Sequence, residues 1–174
     1  MLSNWFKKQY IMKKIVFLFL ITFFLETHAQ QINYTSIRKT VAELYPEIDF
    51  SNKLLAVCVW GSENSGSREQ NKEFDKTAYT YQGAKLKGGL KGTVFISVCS
   101  DKNKTSFDIA KQKDNLTVAH IICDENGFDA NGKLQKMALT PTTQNIVFDT
   151  NGNIIYTNLS TENIFKSFNS LITR

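Results

Sequence analysis

Residues 54–68, LLAVCVWGSENSGSR, decide the fold. Residues 54–60 are nearly all apolar, which is typical of a strand buried on both faces of a parallel sheet. Small and polar residues occupy positions 61–66, and a helical pattern follows at 67–82. Because backbone N–H groups in the first turn of a helix have no partner inside it, such a strand-to-helix corner can hold a ligand or a reacting group. The corner is therefore the first candidate for a functional site.

The N-terminal residues 1–29 have the layout of a secretory signal peptide. Four lysines precede an eleven-residue apolar run at 15–25, and Ala29 is a small residue suited to cleavage before Gln30. A membrane span needs about 20 apolar residues, so this run is short for one. We expect export to the periplasm or beyond the cell, with no stable membrane insertion after cleavage. The alternatives are translation from Met12 and retention as an uncleaved anchor.

Removal of this leader changes the charge of the chain. The full 174 residues carry 21 Lys and Arg and 16 Asp and Glu, a formal net charge of +5. Four lysines and one glutamate lie in residues 1–29, so 17 basic and 15 acidic residues remain, a net charge of +2. The remainder lacks the basic footprint of nucleic-acid-binding proteins, and we expect no nucleic-acid partner. Its length suits one domain.

Residues 30–52 form a lead-in that contains an amphipathic helix. Its apolar side chains recur at helical spacing: Ile37, Val41 and Leu44. Ser36 is placed to cap the helix, and Pro46 ends it. In the helix at 67–82, Phe74, Ala78 and Tyr81 share the apolar face, and charged residues, Arg68 among them, face water.

The middle of the chain alternates strands and helices. A buried strand is predicted at 93–99, a short helix at 105–113 and another apolar strand at 116–123. The inward side chains expected on the short helix are Phe107, Ile109 and Ala110. The strand at 54–60, the helix after it and the strand at 93–99 form a βαβ unit. Such a unit requires a parallel pair and a right-handed crossover.

The C-terminal part predicts a hairpin and one more helix. Asn151-Gly152 separates β-rich runs at 144–148 and 154–157, and Asn-Gly between such runs is a strong hairpin signal. A helix starts at Ser160, with apolar residues at helical spacing: Ile164, Phe165, Phe168, Leu171 and Ile172. A parallel βαβ unit joined to an antiparallel hairpin gives an α/β fold with a central mixed sheet and helices on both faces.

The three cysteines, Cys58, Cys99 and Cys123, all lie inside apolar runs and form no C-x-x-C pair. Buried thiols in apolar surroundings are inert, so we interpret them as core side chains. The alternative is a redox role, for which Cys58 and Cys99 would lie on adjacent strands. His120 is interpreted as a lone core or rim histidine, because no nucleophile is placed beside it by the sequence.

The polar stretch at 124–137, DENGFDANGKLQKM, resembles a calcium loop only in composition. It lacks the glycine at position 6 and the acidic residue at position 12 of an EF-hand loop. We therefore expect neither a metal site nor a cofactor.

The element order and two local motifs resemble the thioredoxin-like superfamily, and most closely its exported TlpA-type members. Residues 57–68 are similar to the family's strand followed by F-W-A-x-W-C-x-x-C-R. The second match is Leu139-Thr140-Pro141-Thr142-Thr143 before the hairpin, where the family places a cis-proline. The resemblance implies a thioredoxin-like domain over residues 53–174 and a cis Thr140–Pro141 bond.

The corner departs from the family pattern at the residues that perform the chemistry. The resemblance matches Trp60 to the first Trp of the family motif and Arg68 to its basic residue. Glu63 stands in place of the second Trp, and Cys58 in place of a buried acidic residue. Asn64 takes the position of the nucleophilic Cys, and Ser67 that of the resolving Cys. Disulfide exchange needs a thiolate to attack and a second thiol to resolve. Asn64 cannot attack, and a helix end alone does not generate the alkoxide of Ser67.

The resemblance therefore implies a non-catalytic module that binds a protein or an extended peptide by strand addition. The implied groove consists of Trp60, Glu63, Asn64, Ser67, Thr140 and Pro141. Two alternatives remain open. One is a divergent thiol-disulfide oxidoreductase or peroxidase that uses Cys58, Cys99 or Cys123. The other is a stable exported domain without a ligand of its own.

Overall fold

The computed structural model describes residues 32–101, 103–123, 132–140 and 145–173. The predicted signal peptide, Pro141 and most of the 124–137 stretch lie outside the described residues. The expected leader cleavage and the cis Thr140–Pro141 bond therefore stay predictions. Among the described residues, every helix is too short or too polar to cross a bilayer.

Five strands form one sheet in the order β3-β2-β1-β4-β5. The strands are β1 (Leu54–Trp60), β2 (Thr93–Cys99), β3 (His120–Cys123), β4 (Asn145–Phe148) and β5 (Ile154–Thr157). The helices are α1 (Tyr34–Leu44), α2 (Ser65–Tyr81), α3 (Lys104–Asp114), α4 (Lys133–Lys136) and α5 (Thr161–Asn169), with a 3-10 turn at Lys87–Gly89. The predicted mixed sheet with helices on both faces is confirmed.

The central strand β1 is buried along its whole length, as its apolar run predicts. It pairs in parallel with β2 and antiparallel with β4. Its odd-numbered residues pack with α1 and α4, in a cluster that includes Ile37 and Met137. Leu54, Ala56 and Cys58 face α2 and α5 on the other side. Each face of β1 therefore needs its own helical layer.

Helix α1 begins at Tyr34, before the start that a cap at Ser36 would give. The Asn33 side-chain Oδ1 accepts the N–H groups of Thr35 at 2.9 Å and of Ser36 at 3.2 Å, so Asn33 is the cap. An N-cap oxygen satisfies backbone donors that the helix leaves without a partner. Ser36 is already in the first turn, and the prediction that it caps the helix is wrong. Leu44 is 40% exposed at the helix end, while Ile37 and Val41 are fully buried.

Helix α3 faces the sheet with Phe107 and Ala110, but Ile109 is 61% exposed. Phe107 and Ala110 are three residues apart and share the helix face that packs on the sheet. Ile109 lies outside that face. The expectation that Ile109 points inward is therefore wrong. An isolated apolar side chain on a protein surface is ordinary and needs no ligand to explain it.

The β4–β5 hairpin forms at Asn151-Gly152, as predicted. Gly152 has φ +86°, which favours glycine. A Cβ there would also lie 2.8 Å from the Tyr34 ring of α1. The Asp149 carboxylate organises the turn by accepting the N–H groups of Asn151 and Asn153, each at 2.8 Å. Hydrogen bonds hold the pKa of Asp149 below its ordinary value, and the bond from the Asn153 side chain contributes most.

The predicted strand at 116–123 pairs with β2 only from His120 onward. The preceding N–H groups of Thr117, Val118 and Ala119 donate instead to the Asp75 carboxylate at 3.2, 3.0 and 2.9 Å. Asp75 lies on α2 and is only 8% exposed. These three hydrogen bonds replace sheet pairing for residues 117–119 and tie α2 to the segment that leads into β3.

Replacement of Asp75 by Ala is expected to lower the free energy of unfolding by about 3 kcal/mol, because it leaves three backbone donors without an acceptor. Asp75→Asn keeps one acceptor oxygen and should lose less. Glu69→Ala, on the exposed side of the same helix, is the matched control and should change stability by no more than about 0.5 kcal/mol. Urea unfolding followed by circular dichroism measures all three. Equal losses for Asp75→Ala and the control would contradict the role assigned to Asp75.

Candidate functional site

The strand-to-helix corner connects β1 to α2, and the helix starts at Ser65, two residues before the predicted start. Asn64 is its N-cap, and the Asn64 Oδ1 accepts the N–H of Ser67 at 2.9 Å. Ser67 is thus the third residue of the helix. The two residues that the resemblance places at the cysteine positions are therefore joined by a hydrogen bond across the first turn.

The Ser67 hydroxyl is engaged by the backbone of the corner. Its Oγ lies 3.1 Å from the Gly61 carbonyl oxygen and 3.0 Å from that of Asn64, either of which can accept its proton. The same Oγ accepts the Gly61 N–H at 3.2 Å. These partners are backbone amides, and an activated serine needs a basic side chain to take its proton. The hydroxyl fixes the shape of the corner.

The end of β2 braces the corner from the other side. The Ser62 N–H donates to Asp101 Oδ1 at 2.8 Å, and the Ser100 hydroxyl donates to the Trp60 carbonyl at 3.0 Å. The other Asp101 oxygen and the Ser62 hydroxyl are buried without a hydrogen-bond partner among the described residues. Residues just after two neighbouring parallel strands thus meet at one edge of the sheet.

Trp60 is a core side chain. It is 1% exposed, and its ring packs against Phe107 with centroids 6.0 Å apart. It shares a cluster with Cys99 and Leu116 under helix α3. An indole so fully covered fixes the end of β1 and offers little surface to a ligand.

Arg68 faces α3, where sequence analysis predicts that it faces water. Its Nε and Nη2 donate to the two carboxylate oxygens of Asp114 at 2.8 and 2.6 Å. The Asp114 side chain is only 7% exposed. This hydrogen bonding to Asp114 raises the pKa of Arg68. A bidentate pair of this kind is geometrically specific. The basic residue of the family pattern therefore ties α2 to α3.

A cavity of about 680 Å³ opens beside the corner. Its polar side chains are those of Asn64, Ser67, Gln70, Ser100, Ser160 and Thr161. Asn64 and Gly66 are exposed, so the cavity is reached from solvent. The starts of α2 and α5 both contribute to its wall, which brings two sets of helix N-terminal N–H groups to one space.

The wall formed by the segment before α5 is tied to the sheet. The Gln70 amide donates to the Leu159 carbonyl at 2.9 Å, and the buried Asn145 amide donates to the same oxygen at 2.8 Å. Asn145 also accepts the Leu159 N–H at 2.8 Å. Leu159 is therefore held by α2 and β4 together.

The structure brings together only part of the groove that the resemblance implies. Trp60, Asn64 and Ser67 border the cavity, but Glu63 and Thr140 fall outside the set of described residues that line it. Pro141 lies outside the described residues. Sequence analysis missed Gln70, Ser100, Ser160 and Thr161 as polar lining residues. Only Ser160 carried a signal, as the predicted start of a helix.

Cys58 and Cys99 lie on the adjacent strands β1 and β2, as the redox alternative requires, but they are not direct partners in the sheet. Cys58 lies opposite Ser97, and Cys99 lies opposite both Trp60 on β1 and Cys123 on β3. Burial raises the pKa of the Cys58 thiol far above its ordinary value. His120 is half-buried against the Tyr45 ring, with centroids 5.1 Å apart. The described residues contain no cluster of acidic, His or Cys side chains suited to a metal ion.

The sequence matches no protein-family model, and no curated protein matches it significantly. Solved structures do match. A thioredoxin-like protein from Parabacteroides distasonis has a TM-score of 0.54 and 17% identity, over 71% of this chain and 90% of that one. The thioredoxin domain of a thiol-disulfide oxidoreductase from Bacteroides vulgatus has a TM-score of 0.55 and 18% identity, over 72% and 83%.

A thiol-disulfide oxidoreductase from Bacteroides fragilis is similar to the same extent, with a TM-score of 0.55 and 20% identity over 72% of this chain and 86% of that one. Identity at this level carries the fold and not the activity. The chain thus has the fold of the thioredoxin-like superfamily.

Proposed function

We propose that this chain is an exported thioredoxin-like domain that has lost both redox cysteines and binds an extended segment of a protein or peptide. The observation that supports it best is the solvent-open cavity of about 680 Å³ beside Asn64 and Ser67. That cavity lies where the resemblance puts the catalytic corner, and its volume is in the range of ordinary ligand sites.

The loss of exchange chemistry at the corner follows from residue type and contacts. An amide at Asn64 has no nucleophilic electron pair comparable to a thiolate. The Ser67 hydroxyl is hydrogen-bonded to the backbone of Gly61 and Asn64. Each residue has taken a structural role that a cysteine at the same place would perform less well.

The groups around the cavity suit a polypeptide ligand. The first turns of α2 and α5 present N–H groups that lack partners within their helices, and carbonyl oxygens of an extended chain accept such bonds. The Ser160 side chain makes no cap hydrogen bond to α5, so it does not occupy these donors. Amide and hydroxyl side chains at Asn64, Gln70 and Ser160 can pair with either donors or acceptors.

Export forms part of the proposal and rests on the layout of residues 1–29. A basic segment, an apolar run of eleven residues and a small residue before Gln30 are arranged as in secretory signals. The domain would then act in the periplasm or outside the cell.

Filling the cavity should weaken peptide binding. Gly66 lines the cavity at its open side, so Gly66→Trp is expected to weaken binding at least about tenfold, which corresponds to about 1.4 kcal/mol. The probe is a pool of fluorescent random-sequence peptides, and the measurement is fluorescence anisotropy. Lys76→Trp places the same side chain on an exposed position of the same helix and should leave binding unchanged. Equal affinity of the two variants, or no binding by the wild type, would refute the proposed groove.

Restoring both cysteines should restore exchange chemistry. Asn64→Cys with Ser67→Cys places thiols at the cap and third position of α2, where the helix start stabilises a thiolate. We expect this double variant to accelerate insulin reduction by dithiothreitol, while the wild type does not. The loss of the Asn64 cap should cost about 1 kcal/mol of stability. The single variant Asn64→Ser keeps a cap oxygen and serves as the control.

The opposite result for the wild type would favour the oxidoreductase alternative. Insulin reduction by the unmodified protein that disappears on substitution of Cys58, Cys99 or Cys123 by Ser would place turnover at those thiols. The claim that the domain is non-catalytic would then fail, whatever the peptide assay shows.

A further inference from the structure

We propose that Cys99 and Cys123 form a reversible intramolecular disulfide, and that this pair is a modification site for oxidants of the disulfide class. The site lies under helix α3, and neither cysteine is among the residues that line the cavity.

The register of the sheet brings the two cysteines together. Cys99 ends β2, Cys123 ends β3, and they are direct partners in the parallel ladder. Neighbouring strands lie about 4.8 Å apart, which is within the Cα separation that disulfides span. Facing residues of a parallel pair point to the same side of the sheet, and both cysteines pack in the cluster of Trp60 and Phe107.

The third cysteine is out of range of this pair. Cys58 lies opposite Ser97, one full repeat along β2 from Cys99. The strand spacing and rise put such a diagonal pair roughly 8 Å apart, beyond the limit for a disulfide without backbone movement. Cys58 also packs in a different cluster, with Phe74 and Ala78. The register of the sheet therefore favours one pairing, that of Cys99 with Cys123.

The two thiols differ in access and surroundings. Cys99 is fully buried, whereas Cys123 is half-buried on the edge strand β3. Burial is the main cause that raises the pKa of the Cys99 thiol, and the Asp101 carboxylate and Cys123 raise it further. A hydrogen bond with the Asp101 backbone lowers the pKa by a smaller amount. An external disulfide can reach the sulfur of Cys123 more easily than that of Cys99. The first attack therefore falls to Cys123.

The exchange proceeds in two steps. The Cys123 thiolate attacks one sulfur of an external disulfide, forming a mixed disulfide and releasing one thiolate. Cys99 then attacks the Cys123 sulfur, which releases the second external thiolate, and the proton of Cys99 passes to that leaving thiolate. The two cysteines lose two electrons and the external disulfide gains them. A small dithiol such as dithiothreitol reverses both steps. Because Cys99 is buried and Cys123 is half-buried, only small disulfides and dithiols reach the pair, and the exchange gives no turnover of a protein disulfide such as insulin.

The test uses the purified protein and oxidised glutathione, with a Cys58→Ala variant so that the reacting thiols are the only two. After oxidation, denaturation and treatment with N-ethylmaleimide, intact mass should show loss of two hydrogens and no maleimide adduct. Treatment with dithiothreitol before alkylation should restore two adducts. Cys99→Ser in the same background should stop at a glutathione adduct on Cys123, and Cys123→Ser should stay a thiol.

Two maleimide adducts on the oxidised Cys58→Ala protein, a persistent glutathione adduct with both cysteines present, or an intermolecular dimer would overturn the disulfide itself. Circular dichroism of each variant confirms that it is folded.

Discussion

The complete burial of β1 is the constraint on which the rest of the structure depends. A strand that is apolar on both faces, with a hydrogen-bonded neighbour on each side, needs two helical layers to keep water away. Helices α1 and α4 supply one layer, and α2 and α5 supply the other. The chain can leave such a strand only at its end, which fixes the corner at the edge of the sheet where Ser100 and Asp101 also emerge from β2.

The shape of the corner does not depend on the residues that would perform exchange chemistry. The strand, the Trp60 anchor and the capped helix start follow from packing and backbone hydrogen bonding, and none of them requires a thiol. Asn64 and Ser67 are good residues for a cap and a first turn, so the corner persists with them in place. The cavity beside the corner exists for the same reason, since it is bounded by helix starts that the sheet positions.

The sequence was sufficient where one pattern dominated, and insufficient where side chains compete for backbone groups. Uninterrupted apolar runs predicted β1 and β2, and Asn151-Gly152 predicted the hairpin, because each depends on local chemistry alone. The cap at Asn33, the early start of α2 at Ser65 and the short β3 depend on which polar side chain reaches a backbone N–H. Asp75 shows the limit most clearly, since its three acceptor bonds join segments more than 40 residues apart. Spacing in the sequence likewise could not reveal that Cys99 faces Cys123, which is a property of register.

Leu159 is held by two hydrogen bonds to Asn145 and one to Gln70, so the cavity wall next to it is rigid. A wall held by the sheet and a long helix has little conformational entropy left to lose when a ligand arrives. The ordering cost of association then falls mainly on the ligand, and segments that are already extended before they arrive lose least. The cavity would thus discriminate among polypeptides by their stiffness as well as by their side chains.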